Sequence, residues 1–396
     1  MRKGWMRPSL VSAVALLVAC SSDSVSTGLT SLHPTLSMHA SDVIPVSGLD
    51  ELYAAVNDPT HAGMRVELAP RIYMLDKTRE HGGRIELQKD MTLAGQFGDQ
   101  SAVIIDASGL SPDALKDGSL VTGAVRMGRG SNTVEWLTVR NATNGVASIT
   151  TDLLLPGTTT ATIAHVIASG SPRGFDIRNL AAAAGRALEV VLIDNELADN
   201  TSGTGQGMRI ANLAGANGAS IHATLSGNYA HGNIAGLVAS NVGTQSATVE
   251  IESKGDRFDG NGNGTVLLAG LSSGAIAARG NLLRFAAHTS SFSHNTGALG
   301  TAFPTRAGIA AYGGVSVAAN GAFDNIAELD VHSAKIDDNG GPDIAAWGAI
   351  SSAALPAGTG NLTSIVLRGS SKKATVDKIN SAPDEPAATN RVTVVR

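Results

Sequence analysis

ATVEIESKGDRFDGNGNGTVLLAG, residues 247–270, is the stretch whose reading decides the fold. Val249, Ile251 and Ser253 alternate with Glu250, Glu252 and Lys254, the two-residue period of a strand that turns one face inward. Gly255 breaks the run, a short segment Asp256-x-Phe258-x-x-Asn261 follows, and Thr265 to Ala269 reads as a second, apolar strand. Strand, bend, short segment, turn and strand together make one coil of a solenoid.

The same phrase recurs on both sides. Asn195-x-Leu197-x-x-Asn200, Asn228-x-Ala230-x-x-Asn233, Ser290-x-Phe292-x-x-Asn295 and Ala334-x-Ile336-x-x-Asn339 share the template. A second anchor closes each apolar strand, at Asn179, Asn212, Asn241, Gly270, Gly313 and Gly348. Asn and Gly tolerate the left-handed backbone of a tight corner, so Asn at equivalent turns is expected to stack into ladders of side-chain amides. Repeats of roughly 20–50 residues mark solenoids, and Gly, Asn, Thr and Val make these coils strand-rich. The two Phe residues at 258 and 292 fall on one template position and are expected to stack inward.

Upstream, Ser47 is placed to cap a helix from Leu49 to Val56, with Asp50 and Glu51 in its first turn and Leu49, Leu52, Ala55 and Val56 on one face. Val66-x-Leu68-Ala69-Pro70-x-x-Tyr73-x-Leu75 comes next, then Ile85-Glu86-Leu87, Met91-Thr92-Leu93-Ala94-Gly95 and Val103-Ile104-Ile105-Asp106. This helix and these strands resemble the capped first coils of right-handed parallel β-helix proteins of the pectate-lyase-like superfamily. The resemblance implies an all-β fold, a right-handed parallel β-helix (three-sheet solenoid) with an N-terminal capping helix over its open end. An insertion between Gly109 and Gly128 interrupts the coils, which resume at Val134 and run to about Leu367. The likeness spans most of residues 47–370. It implies a fold and no single activity, because such solenoids host lyases, hydrolases, esterases, epimerases and non-enzymatic adhesins.

Residues 1–19 read as a signal peptide: Arg2 and Lys3, an apolar run from Leu10 to Val18, then Leu17-Val18-Ala19-Cys20. That ending resembles the lipobox of bacterial lipoproteins, in which Cys20 becomes the acylated first residue; cleavage at a nearby Ala is the other reading. Ser21 after the cysteine implies the outer membrane as address. Cys20 is the chain's one cysteine, which excludes an intrachain disulfide framework. Residues 20–45, rich in Ser and Thr, read as a flexible tether. Residues 46–370 form the β-helix domain, and 371–396 read as a polar tail or cap that returns along the outside, with Val392 to Val395 as a short strand. A net charge of −5 directs attention away from nucleic acid and from a polybasic membrane patch, and membrane attachment is expected through the lipid alone. Composition says nothing of oligomeric state.

Aligning the first strands gives three outward columns. They are Glu189, His222, Glu250, Arg284, Glu328; Val191, Thr224, Glu252, Ala286, Asp330; and Ile193, Ser226, Lys254, His288, His332. Coils lie about 4.8 Å apart, so charges of opposite sign in one column ladder together. Two readings stand. One is a solvated, charge-laddered face. The other is a glycan site in which Glu250, Glu252, Arg284, Glu328 and Asp330 are catalytic, since carboxylates two apart on a strand sit about 6.5–7 Å apart at Cα and rotamers adjust that to glycosidase geometry; His288 and His332 then serve as acid, base or ligand contacts. On the apolar strands the column Arg178, Ala211, Ser240, Ala269, Tyr312, Trp347 places two aromatic rings one coil apart, an expected sugar platform if exposed.

The motifs of characterised members are missing. Arg209-Ile210 precedes His231-Gly232 and Asp337-Asp338 follows both, the wrong order for a polygalacturonase-like site, and Ser171 to Arg178 lacks pectate-lyase spacing. Asp256 with Asp259, and Asp337 with Asp338 and Asp343, read as turn chemistry in preference to calcium ligands, so no metal and no cofactor is expected. The expectation is a lipid-anchored envelope protein that binds or adheres to a polysaccharide or cell-surface glycan without conventional catalytic residues; the alternative is a polysaccharide lyase or glycoside hydrolase.

Overall fold

The computed structural model describes residues 42–117, 120–143, 146–152, 160–273, 276–297, 306–317, 320–351, 358–382 and 389–396. Cys20, the expected leader 1–19 and the expected tether as far as residue 41 lie outside the described residues.

The alternation in the sequence becomes a right-handed parallel β-helix of about nine turns with three sheets and one short helix. Sheet A holds the first strands of the coils, among them Ala187–Ile193, Ser220–Ser226, Thr248–Lys254, Leu282–His288, Ile326–His332 and Leu362–Arg368, each parallel to the next. A one-residue corner leads to the short sheet B, with Glu196–Ala198, Tyr229–His231 and Arg257–Phe258. The Asn turn then opens sheet C, which runs from Ile85–Glu86 through Asn263–Leu271 to Val376–Ala382.

Val249, Ile251 and Ser253 face inward as the alternation requires, and Phe258 and Phe292 are fully buried with their rings stacked at 5.4 Å. Among the described residues, the turns carry the amide ladders. Asn200, Asn233 and Asn261 donate Nδ2 or N–H to the Oδ1 of the next coil, ending at Asn295 and Asn339. Asn195, Asn228 and Asp256 form a second row, and Asn179, Asn212 and Asn241 a third. A fourth, Asn281, Asn325, Asn361 and Asn390, escaped the sequence reading because irregular connections separate its members. Each ladder satisfies buried backbone and side-chain polar groups that would otherwise be costly to bury.

Several boundaries move. The solenoid begins at Val43, where Val43–Val46 pairs in parallel with Arg65–Leu68, so the last tether residues already belong to the first coil. Near the C-terminus the expected strand Val392 to Val395 is present, within Arg391–Val395, but it extends sheet A beside Leu362–Arg368, and Val376–Ala382 extends sheet C beside Ile344–Ser351, so these strands continue the solenoid and do not return along its outside. Their polarity misled because a terminal strand has one face in solvent. The helix spans Leu49–Asn57 with Leu52, Tyr53, Ala55 and Val56 buried, but Ser47 does not cap it. Ser47 instead donates its N–H and Oγ to the Glu51 carboxylate, at 2.7 and 2.9 Å, an arrangement in which the acidic residue supplies the acceptor.

Candidate functional site: a charged trough on sheet A

The three outward columns of sheet A keep the register read from the sequence. Glu189, His222, Glu250, Arg284 and Glu328 are consecutive Cα partners and continue to Ser364; Val191, Thr224, Glu252, Ala286 and Asp330 continue to Val366. Because neighbouring strands stand at fixed spacing, Arg284 lies between two carboxylates. Its Nη1 donates to Glu250 Oε1 at 2.8 Å and its Nε to Glu328 Oε2 at 2.6 Å. The bonds to Glu328 and then Glu250 raise the guanidinium further above its ordinary range. His222 Nδ1 sits 2.8 Å from the other Glu250 oxygen, and Arg368 Nε donates to Asp330 Oδ1 at 3.2 Å.

Over these columns lies a depression of about 530 Å³ lined by Glu250, Glu252, Arg284, Ala286, Glu328 and Asp330. A second one of about 310 Å³, lined by Glu189, His222, Thr224, Glu250 and Glu252, adjoins it at the two shared glutamates. All five proposed catalytic residues therefore meet in one trough that follows the solenoid axis. Ala286 forms its low point. Glu252 and Asp330 stand on either side of that alanine, two coils apart, so about 10 Å at Cα. His288 and His332 are exposed and meet edge to face at 5.8 Å, in the column beside the trough and not among its lining residues.

Sheet C contradicts the proposed aromatic platform. Tyr312 and Trp347 are neighbours in register and stack at 4.7 Å, 7° from parallel, but they are 0% and 6% exposed. They belong to a second apolar cluster on the outside of the sheet with Val266, Leu268 and Ala307. An outward position on a strand is solvent-facing only where nothing packs over it, and here the rings serve cohesion. The column is also shifted by one at Leu268, the true partner of Tyr312, not Ala269, because the register slips between Ser240 and Val242.

Further up the same face is a group the sequence reading missed. Asp176, 1% exposed, accepts from Arg209 Nε and Nη2 at 2.7 and 2.8 Å and from Arg178 Nη1 at 3.4 Å, with Arg173 Nη1 at 3.9 Å. Burial alone would push its carboxyl up; Arg209, Arg178 and Arg173 outweigh that and hold it at about 2. Burial, with Arg209 alongside, brings the Arg173 guanidinium down to about 10. The clue was present in Arg173-x-x-Asp176-x-Arg178, but Arg209 comes from the next coil and no linear spacing announces it.

No protein-family model and no curated protein matches the chain. Among solved structures it is similar to the A-module of the mannuronan C-5 epimerase AlgE4 of Azotobacter vinelandii, at 17% identity over 87% of this chain and 91% of that one, with a TM-score of 0.49. The A-module of AlgE6 from the same organism gives 16%, 87%, 93% and 0.41. The pectate lyase Pel9A gives 16% identity, coverage of 87% and 80%, and a TM-score of 0.43.

Proposed function

We propose that this protein is a lipid-anchored, cell-envelope solenoid that binds a neutral or amine-bearing polysaccharide along the sheet A trough. The observation that carries the reading is the continuity of the two depressions through Glu250 and Glu252, which suits an extended polymer better than a compact ligand. Their lining presents five carboxylates, Glu189, Glu250, Glu252, Glu328 and Asp330, against the one guanidinium of Arg284, a balance that disfavours a polyanion. Glu250 and Glu328 are tied to Arg284 and Asp330 to Arg368, which fixes polar groups for hydroxyl recognition and occupies oxygens that acid or base catalysis would use. On one side the strands of Ser220–Ser226 and Thr248–Lys254 turn out of sheet A through the single residues Gly227 and Gly255. Anchoring rests on the Leu17 to Cys20 spelling, and the outer-membrane address on Ser21.

A second reading, glycoside hydrolysis, is favoured by Glu252 and Asp330 facing each other across Ala286, since inverting enzymes hold their carboxyl groups about 6.5–9.5 Å apart. One panel separates the two. The protein is offered neutral, amine-bearing and acidic polysaccharides, and both retention and cleavage are scored. Binding without cleavage, preferring the first two classes and weakened at least several-fold in Arg284→Ala, supports the proposal. Cleavage that disappears in Glu252→Gln and Asp330→Asn replaces it with the hydrolase, and preference for the acidic polymer refutes the charge argument. Acyl labelling of wild type but not of Cys20→Ala supports the anchor; equal labelling removes it.

A further inference from the structure

The corner between sheets A and B is a single residue in the left-handed region, and its occupants can be followed coil by coil. They are Trp136, His165, Asp194, Gly227, Gly255, Thr289, Ser333 and Gly369, with φ of 56, 55, 49, 69, 67, 54, 54 and 59°. Gly is the residue this backbone favours, and Asp and His tolerate it; the bulky Trp136 and the β-branched Thr289 are genuine outliers there, and of the two Trp136 alone stacks on other rings. Trp136 and His165 hold two consecutive corners, opposite one another in the ladder of Ser131–Arg140 with Thr160–Ser169. Their rings stack at 3.9 Å, 17° from parallel, and Phe97 joins them, its ring 4.8 Å from Trp136.

Strain of this kind persists where the surroundings over-determine it, and it clusters at ligand sites. The surroundings here hold the rings outward. Phe97 is 80% exposed, and His165 and Trp136 are half-buried. The loop that carries Phe97 is tied across the corner: Gln100 Nε2 donates to the Asp194 carbonyl at 3.4 Å, Thr138 Oγ donates to the Gln100 carbonyl at 2.9 Å, and Asp99 Oδ1 accepts from Ser101 N–H and Oγ. A preordered ring with an open face, standing among Asp99, Gln100 and Asp194, offers apolar contact bordered by hydrogen-bonding groups. That is the complement of a pyranose, whose C–H face is apolar and whose rim is hydroxylated. The coil of Glu189, where the trough begins, directly follows the coil of His165.

We infer that Phe97, Trp136 and His165 form a sugar-stacking subsite at the upstream end of the trough, which receives one pyranose ring of the polysaccharide; this rests on the glycan-binding reading. The corner itself supplies the decisive substitution. Trp136→Gly installs the residue that later coils use, so thermal unfolding should be unchanged or raised, whereas retention of cello- and chito-oligosaccharides should fall about tenfold or more. Phe97→Ala, an exposed position, should lower retention several-fold without a change in melting. Retention equal to wild type in both variants overturns the subsite, and so does a fall in melting of Trp136→Gly that accounts for its lost retention while Phe97→Ala still binds fully. Self-association abolished by Phe97→Ala, with no oligosaccharide bound by wild type, would make the ridge a protein contact and also overturns it. Retention lost in Arg284→Ala but kept in both ridge variants preserves the trough and removes the subsite; the reverse pattern preserves the subsite and removes the trough.

Discussion

Sheets A and C obey the same alternation, yet their outward faces have opposite fates. On sheet A the outward residues are a solvated trough in which neighbours one coil away pair some of the charges, Glu250 and Glu328 with Arg284, and leave an excess of carboxylates. On sheet C the outward residues are themselves interior: a salt-bridged group around Asp176 toward one end, and the Tyr312–Trp347 stack toward the other. In a solenoid the strand decides which side chains leave the core, and what lies over the sheet decides whether they reach water. Charge pairs of similar geometry thus carry different weight, because exposed pairs contribute little while a buried carboxylate among guanidinium groups cannot be removed without loss.

The sharpest test removes Asp176. Asp176→Ala takes away the carboxylate that receives two donors of Arg209, and a loss of about 3–5 kcal/mol in denaturant unfolding is expected; a loss under about 1 kcal/mol would erase the contrast between the faces. The same group sets an acid limit. Its folded value of about 2 lies below the ordinary 3.8, so its contribution is present above pH 3.8 and is lost as pH falls towards 2. Next comes Trp347→Ala, which should cost about 3 kcal/mol by opening the outer cluster and leave oligosaccharide retention unchanged. Impaired retention at full stability would return the rings to the surface.

A smaller effect, of opposite sign, is expected inside the solenoid. Asp256 is fully buried, and burial raises its carboxyl to about 6 despite hydrogen bonds from Ser253 and Asn228. The folded state therefore favours the neutral acid, and stability falls as pH rises from about 3.8 through about 6. Asp256→Asn should stabilise by about 2 kcal/mol at pH 7 and do nothing at pH 3, in paired melts at the two pH values. The smallest change belongs to the open face: Arg284→Ala should alter stability by less than about 1 kcal/mol. A larger loss would mean that the trough is structural.

The fold was legible because its signal is repeated. Asn200, Asn233, Asn261 and Asn295 mark the same turn in coil after coil, and the sheet A columns could be aligned on them without a slip. Sheet C was read one residue out at Leu268, since a bulge leaves no mark in an apolar run. Whether Tyr312 and Trp347 were exposed was not legible at all, because that depends on chain passing over the sheet, which strand periodicity does not encode. Asp176 and Arg209 lie in different coils, and each alone is an ordinary charged residue on a strand. Trp136 was visible only as a strand residue; its significance lies in a backbone angle.

The amide ladders also give the solenoid a sense of direction. In the rows that start at Asn179, Asn195 and Asn281 the side-chain N–H points to the oxygen of the following coil, so the amide dipoles add head to tail and polarise one another. The axis consequently has an electropositive and an electronegative end, as a helix does, though built from side chains. In the row of Asn195 and Asn228 the electropositive end falls on Asp256, whose side-chain oxygen accepts from Asn228 and closes the row.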